Sequence, residues 1–230
     1  MNISLHYEEY GAGEPLILLH GNGEDLTYFK NQILYFSRSR RVIAVDTRGH
    51  GQSPRGTAPF TLSQFAEDLA NLMDGMDLEK ADILGFSDGG NIALLFALKY
   101  PRRVRKLILN GANLSPAGVK TSVQLPVVLG YRMAKCFAKK SDGAQKNAEI
   151  LGLMVNEPHI APAELERLTM PVLVIAGSRD MIKDSHTRRI AASITGSELV
   201  ILKGDHFIAA KESKAFNKAV EQFLEKDGWK

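Results

Sequence analysis

This sequence predicts an α/β fold with a mostly parallel central sheet and helices on both faces, and three observations carry that prediction. Short apolar runs of strand length alternate with helix-like segments almost throughout the chain. Loops bearing glycine follow several of those runs, at the strand ends where open α/β sheets gather their sites. The 230 residues, 44% of them hydrophobic, suffice for one large core.

The strands read, in order, Ile3–Glu9, Pro15–Leu19, Arg41–Asp46, Ala81–Phe86, Arg105–Asn110, Pro171–Ala176 and Glu198–Leu202. Only Tyr10-Gly11-Ala12-Gly13-Glu14 separates the first two, a length that predicts a hairpin and an antiparallel opening pair. Helices are expected at about Thr27–Phe36, Thr61–Met73, Asp88–Tyr100, Asp184–Ser193 and Lys211–Lys226. Thr61 and Gln64 form a capping-box pair ahead of Phe65, Leu69 and Leu72. Pro101 stops the helix that begins at Asp88.

Between Asn110 and Pro171 the alternation fails, and about sixty residues carry no convincing strand. They predict a small helical lid at 119–168, inserted in a core made of 1–118 and 169–230. Its basic patches, Arg132/Lys135 and Lys139/Lys140, read as a solvated helix face. Cys136, the single cysteine, lies in the stripe Leu129-x3-Met133-x2-Cys136-Phe137, which predicts a packed thiol. One cysteine excludes an internal disulfide and a cysteine-based metal site.

The balance of 29 basic and 26 acidic side chains, net +3, gives no electrostatic argument for nucleic acid or an acidic membrane surface. The first nine residues lack the apolar stretch of a signal peptide, and no apolar run approaches 18 residues. A cytoplasmic protein with a small-molecule substrate, no nucleic acid partner and no membrane partner is the expectation; the oligomeric state stays open.

The chemistry concentrates at Ile83-Leu84-Gly85-Phe86-Ser87-Asp88-Gly89-Gly90, a serine between glycines where an apolar strand runs into a helix. By composition, Gly-x-Ser-x-Gly arises by chance in about one chain in twelve of this length, so the motif alone is weak. The flanking strand and helix make it strong, because a sharp strand-to-helix turn exposes the serine oxygen at its tip. The plainer alternative is that Ser87 only caps a helix.

With His20-Gly21-Asn22-Gly23, Asp46-Thr47-Arg48-Gly49-His50-Gly51-Gln52-Ser53, Gly177-Ser178-Arg179-Asp180 and Gly204-Asp205-His206-Phe207 in register around that turn, the chain resembles the α/β-hydrolase superfamily along nearly its whole length. The order Ser, Asp, His is that family's chain order. The resemblance implies Ser87 as nucleophile, His206 as general base and Asp180 as its orienting acid. It implies an oxyanion hole from the backbone N–H groups of Asn22 and Asp88, with no metal and no organic cofactor.

Among the other histidines, His20 and His50 lie in glycine loops and read as structural, and His186 reads as a surface residue. Asp184, a rival acid, reads as an N-cap, and Asp46 and Arg48 as a structural pair. The elbow Gly85-Phe86-Ser87-Asp88-Gly89-Gly90 further resembles the valacyclovir hydrolase-like members, which implies that the Asp88 carboxylate binds a substrate amine. A favourable anion at a helix N-terminus is the alternative for Asp88.

The function expected is a serine hydrolase acting on a small ester or related acyl compound through an acyl-enzyme, and the amine-binding reading of Asp88 implies a preference for amino-bearing esters. A lactonase, thioesterase or C–C hydrolase could use the same residues, as could a ligand-sensing receptor that retains them.

Overall fold

The computed structural model describes residues 3–226, so the first two and last four positions of the expected core lie outside it. Seven strands form one sheet: β1 (Tyr7–Tyr10), β2 (Pro15–Leu19), β3 (Arg41–Val45), β4 (Ala81–Phe86), β5 (Val104–Asn110), β6 (Val172–Gly177) and β7 (Glu198–Leu202). Their spatial order is β1-β3-β2-β4-β5-β6-β7, with every neighbouring pair parallel except β1 with β3.

The expected hairpin between the first two strands does not form. β1 pairs antiparallel with β3, Tyr7 opposite Val45, while β2 lies between β3 and β4. Burial explains the choice. Leu16, Ile17, Leu18 and Leu19 are apolar on both faces and fit an interior strand, whereas Tyr7-Glu8-Glu9-Tyr10 fits an edge. The connection passes hard against the turn before β3: a Cβ on Gly11, at φ +74°, would lie 2.2 Å from the Ser37 carbonyl oxygen. Only glycine makes that approach.

The helices are α1 (Lys30–Phe36), α2 (Leu62–Gly75), α3 (Asp88–Lys99), α4 (Thr121–Phe137), α5 (Asp142–Asn156), α6 (Asp184–Ala192), α7 (Ile208–Lys211) and α8 (Ser213–Leu224). Alternation along the strands divides the core. Ile17, Leu19, Ile43 and Ile83 pack under α2, α3 and α6, while Leu16, Leu18, Val42 and Leu84 pack under α1 and α8. Both faces of the sheet are therefore covered.

Only half of the expected capping box forms at α2. The Thr61 hydroxyl accepts from the Gln64 N–H at 3.1 Å, but the Gln64 amide turns to Asp68 instead. A carboxylate from far along the chain caps the next donor, Glu157 accepting from the Leu62 N–H at 2.8 Å. Asp46 and Arg48, expected to form a structural pair, hold separate partners. Asp46 accepts from the N–H groups of Leu26 and Gln52, and Arg48 forms a bidentate pair with Asp68 of α2.

The segment between β5 and β6 is helical, with α4 and α5 packed as a hairpin and short 3-10 turns at its ends. Its underside meets the core through Leu153, Ile160 and Leu165. Cys136 is exposed, contrary to the packed thiol expected, because α4 turns its other side to α5 and leaves this stripe outward. The patches Arg132/Lys135 and Lys139/Lys140 are exposed.

Candidate active site

The site is assembled at the carboxyl edge of the parallel strands. β4 ends at Phe86, and Ser87 turns the chain into α3 at φ 53° and ψ −119°. That conformation is costly for a residue with a Cβ, on the order of 1–3 kcal/mol, and holds only where the surroundings enforce it. They do so here by close approach. A Cβ on Gly85 would lie 2.2 Å from the Gly89 oxygen, and one on Gly89 would lie 2.0 Å from the Leu19 oxygen. The Ser87 N–H donates to the Asn110 carbonyl at 2.8 Å, and the Ser87 carbonyl accepts from Asn91 at 3.1 Å. Both backbone groups are thus satisfied, and the half-buried side chain stands on a fixed turn.

His206 and Asp180 come together from different loops. His206 Nδ1 lies 2.7 Å from Asp180 Oδ1, with both side chains buried. Asp180 is itself held by the Ile182 N–H at 2.9 Å on Oδ1, and its Oδ2 faces the Gly177 N–H at 3.4 Å. A carboxylate only accepts, so Nδ1 carries a proton, and in the neutral imidazole the lone pair falls on Nε2. Nε2 is buried and has no partner among the described residues.

The imidazole packs beside the elbow, its ring centroid 4.8 Å from that of Phe86, the residue preceding Ser87. Gly111 flanks it at φ +64°, where a Cβ would lie 2.7 Å from His206 Cε1. The rival acids are engaged elsewhere: Asp184 pairs with Arg188 and Asp205 with Lys211, all on the surface.

The loop after β2 is shaped by His20, which is buried with Nδ1 2.7 Å from the Gly21 oxygen and Nε2 accepting from the Thr47 N–H at 3.0 Å. Burial lowers its pKa to about 4, so it stays neutral and structural, as its glycine setting predicted. Asn22 sits at the bend, its Nδ2 donating to the Ile150 carbonyl of α5 at 2.8 Å.

His186 departs from the surface role expected of it. It is half-buried, accepts from the Leu114 N–H at 2.9 Å, and has its pKa lowered chiefly by burial.

Asp88 is the unusual group. Its Oδ1 accepts from Asn91 Nδ2 at 3.2 Å, while Oδ2 is buried with no partner among the described residues. Burial above all raises its pKa to about 7. The Glu157 carboxylate pushes the same way, and the Asn91 bond and His206 pull against it. A helix-end anion would be solvated; this one is 7% exposed.

Two neighbours escaped sequence reasoning. Glu24 accepts from the Gly21 N–H at 3.2 Å, and burial raises its pKa to about 7 against that bond and the pull of His206. Tyr28 stacks on Phe86 with ring centroids 4.3 Å apart, and its buried hydroxyl lacks a partner among the described residues. Burial pushes its phenol pKa upward. The position of Glu24 inside the glycine loop was a usable signal; Tyr28 on an amphipathic turn offered none.

Residues 14–135 match the family model described as alpha/beta hydrolase fold. Among individual proteins, the chain is 25% identical to 3-oxoadipate enol-lactonase 2 of Acinetobacter baylyi, over 98% of this chain and 94% of that protein. It is 29% identical to human serine hydrolase BPHL, over 97% of this chain and 84% of that one. A hydrolase from Pseudomonas aeruginosa superposes with a TM-score of 0.79 at 27% identity, covering 97% of this chain and 95% of the other. The enol-lactonase of Burkholderia xenovorans gives a TM-score of 0.82 at 23% identity, covering 97% of each chain, a likeness of fold. With more than half the chain inside the family match and the sheet order, elbow and loops described above, the chain belongs to the α/β-hydrolase superfamily and is a hydrolase.

Proposed function

We propose that this protein hydrolyses a small ester or related acyl compound through Ser87, His206 and Asp180, and favours esters bearing an amino group. The observation that carries the reading is the pairing of a strained, half-buried serine turn with a buried imidazole whose Nδ1 is committed to Asp180 and whose Nε2 has no partner among the described residues.

In that reading Nε2 takes the Ser87 proton as Oγ attacks the acyl carbon, and the carbonyl π electrons move onto oxygen. The N–H groups of Asn22 and Asp88 hold that oxyanion. Collapse expels the alcohol, which receives the proton from Nε2 and leaves an acyl-serine. Water, deprotonated by the same nitrogen, repeats the attack and frees the acid and Ser87. Asp180 holds the tautomer throughout and offsets the imidazolium charge.

The amine preference rests on Asp88 Oδ2, a buried acceptor with no donor among the described residues, which a substrate ammonium would satisfy while restoring the ionised carboxylate. Lactone opening on the same residues is the second reading, favoured by the full-length similarity to an enol-lactonase.

A panel of matched neutral and α-amino esters tests the proposal. Ser87→Ala should remove nearly all turnover, and Asp180→Asn should cost orders of magnitude where Asp184→Asn costs little. Amino esters should lead by roughly 10- to 100-fold in kcat/KM, the worth of one charge-assisted hydrogen bond, and Asp88→Asn should erase that lead alone. Wild-type activity that survives Ser87→Ala refutes the mechanism. Equal rates on both ester sets refute the amine preference.

A further inference from the structure

The near-neutral charge of the whole chain conceals a segment of one sign. From Gly111 to Ser141 there is no acidic residue, while Lys120, Arg132, Lys135, Lys139 and Lys140 supply five cations. Most of that segment is α4, which carries no fully buried residue. Its outward face presents Leu125 at 58% exposure, Leu129 at 53%, Met133 at 67% and Phe137 at 56%. These recur at every fourth position, so they form one continuous ridge. Arg132, Lys135, Lys139 and Lys140 flank it, all exposed, and none belongs to an ion pair among the described residues.

We propose that this face of α4 docks on an anionic lipid bilayer, lying in the headgroup plane with the leucine, methionine and phenylalanine side chains inserted. An outward apolar ridge flanked by exposed cations is the arrangement that interfacial helices use. Isolated exposed apolar residues need no explanation, but a contiguous row of four large ones does. The border selects the occupant, since unopposed cations beside the ridge match a surface of negative headgroups. α4 is inserted between β5 and β6, beyond the carboxyl edge of the sheet where Ser87, Asp180 and His206 stand. Docking would therefore turn that edge toward the membrane. No helix among the described residues is long and apolar enough to cross a bilayer, so the contact is peripheral.

Cys136, the single cysteine, is exposed on this same helix and gives the test its reporter. The full-length protein, labelled there with an environment-sensitive thiol dye, is mixed with vesicles of phosphatidylcholine alone or with phosphatidylserine added, and unlabelled protein is co-sedimented in parallel. The wild type should sediment with the phosphatidylserine vesicles only, with a blue-shifted dye, and release at high salt. Arg132→Gln with Lys135→Gln should weaken the partition about 30-fold, from roughly fivefold per cation. Leu129→Gln with Met133→Gln should abolish the dye shift. All four positions are exposed, so unchanged thermal melting should accompany both variants. Absence of binding to anionic vesicles at low salt overturns the proposal. So does binding that both double variants retain, or a concentration-dependent dimer that the apolar variant alone disrupts.

Discussion

At the residue scale, the most informative side chain is Asp88, because its two candidate roles predict opposite signs. An aspartate that merely complements a helix N-terminus stabilises the fold by about 0.3–1 kcal/mol when ionised. A buried carboxylate with an oxygen that no donor among the described residues reaches does the reverse. Its folded pKa, about 7, lies above the ordinary aspartate value of 3.8. Between those values the folded protein retains a proton that the unfolded chain has released, so stability falls as pH rises across the interval, and the cost is complete above it. Asp88→Asn should therefore raise stability by about 1–3 kcal/mol at pH 8, with the gain vanishing near pH 4. Urea denaturation at the two pH values measures it. A loss at pH 8 would make Asp88 a helix-end residue. A stabilising substitution that also removes amine preference would mark the side chain as kept for a ligand.

Elements act through how they are tied together. α5 is tied to the loop after β2 by Asn22 Nδ2 donating to the Ile150 oxygen. The preceding residue of α5, Glu149, makes a bidentate pair with Arg55, at 2.8 and 2.7 Å. Arg55 is anchored in turn to the Gly56 and Ala58 carbonyls and lies 4.9 Å over the Phe60 ring. A half-exposed pair of this kind adds little to global stability, at most about 1 kcal/mol. Its mechanical effect is larger, because it fixes the carbonyl that holds Asn22, whose N–H is the proposed oxyanion donor. Complete loss of such a donor costs about 10²–10³ in kcat, so loosening it through Glu149→Gln should cost roughly 3- to 10-fold. Steady-state kinetics on an activated ester should place that loss in kcat with KM nearly unchanged. A rise in KM alone would assign the pair to substrate access.

At the scale of the whole molecule, the largest fully buried side chain among the described residues is charged. Arg48 has no exposed surface, donates to both Asp68 oxygens at 2.7 and 2.6 Å, and donates to the Arg55 carbonyl at 2.8 Å. It joins the loop after β3 to α2 and, through Arg55, to α5. Removing one partner strands a buried charge, so Arg48→Met should cost about 3–5 kcal/mol, whereas Arg48→Met with Asp68→Leu should recover much of it. Chemical denaturation of both variants decides this; equal losses would mean that packing volume, and not the orphaned carboxylate, sets the cost.

Local chemistry was sufficient for what the sequence determined by itself. Strands β2 to β7, the elbow at Ser87, the glycine loops and the helical excursion were legible because each is written in neighbouring residues: an apolar run, a glycine on either side of a serine, a proline at a helix end. Asp180 and His206 could be named because each follows a recognisable strand, and the structure places their side chains 2.7 Å apart. Partners far apart in the chain were decided only by tertiary packing. The edge position of β1, the pairing of Arg48 with Asp68, the Glu157 cap on α2 and the exposure of Cys136 follow from which surfaces must be buried against which. So does the desolvation of Asp88, because the pKa of a carboxyl is set by whatever folds over it, and no local motif records that.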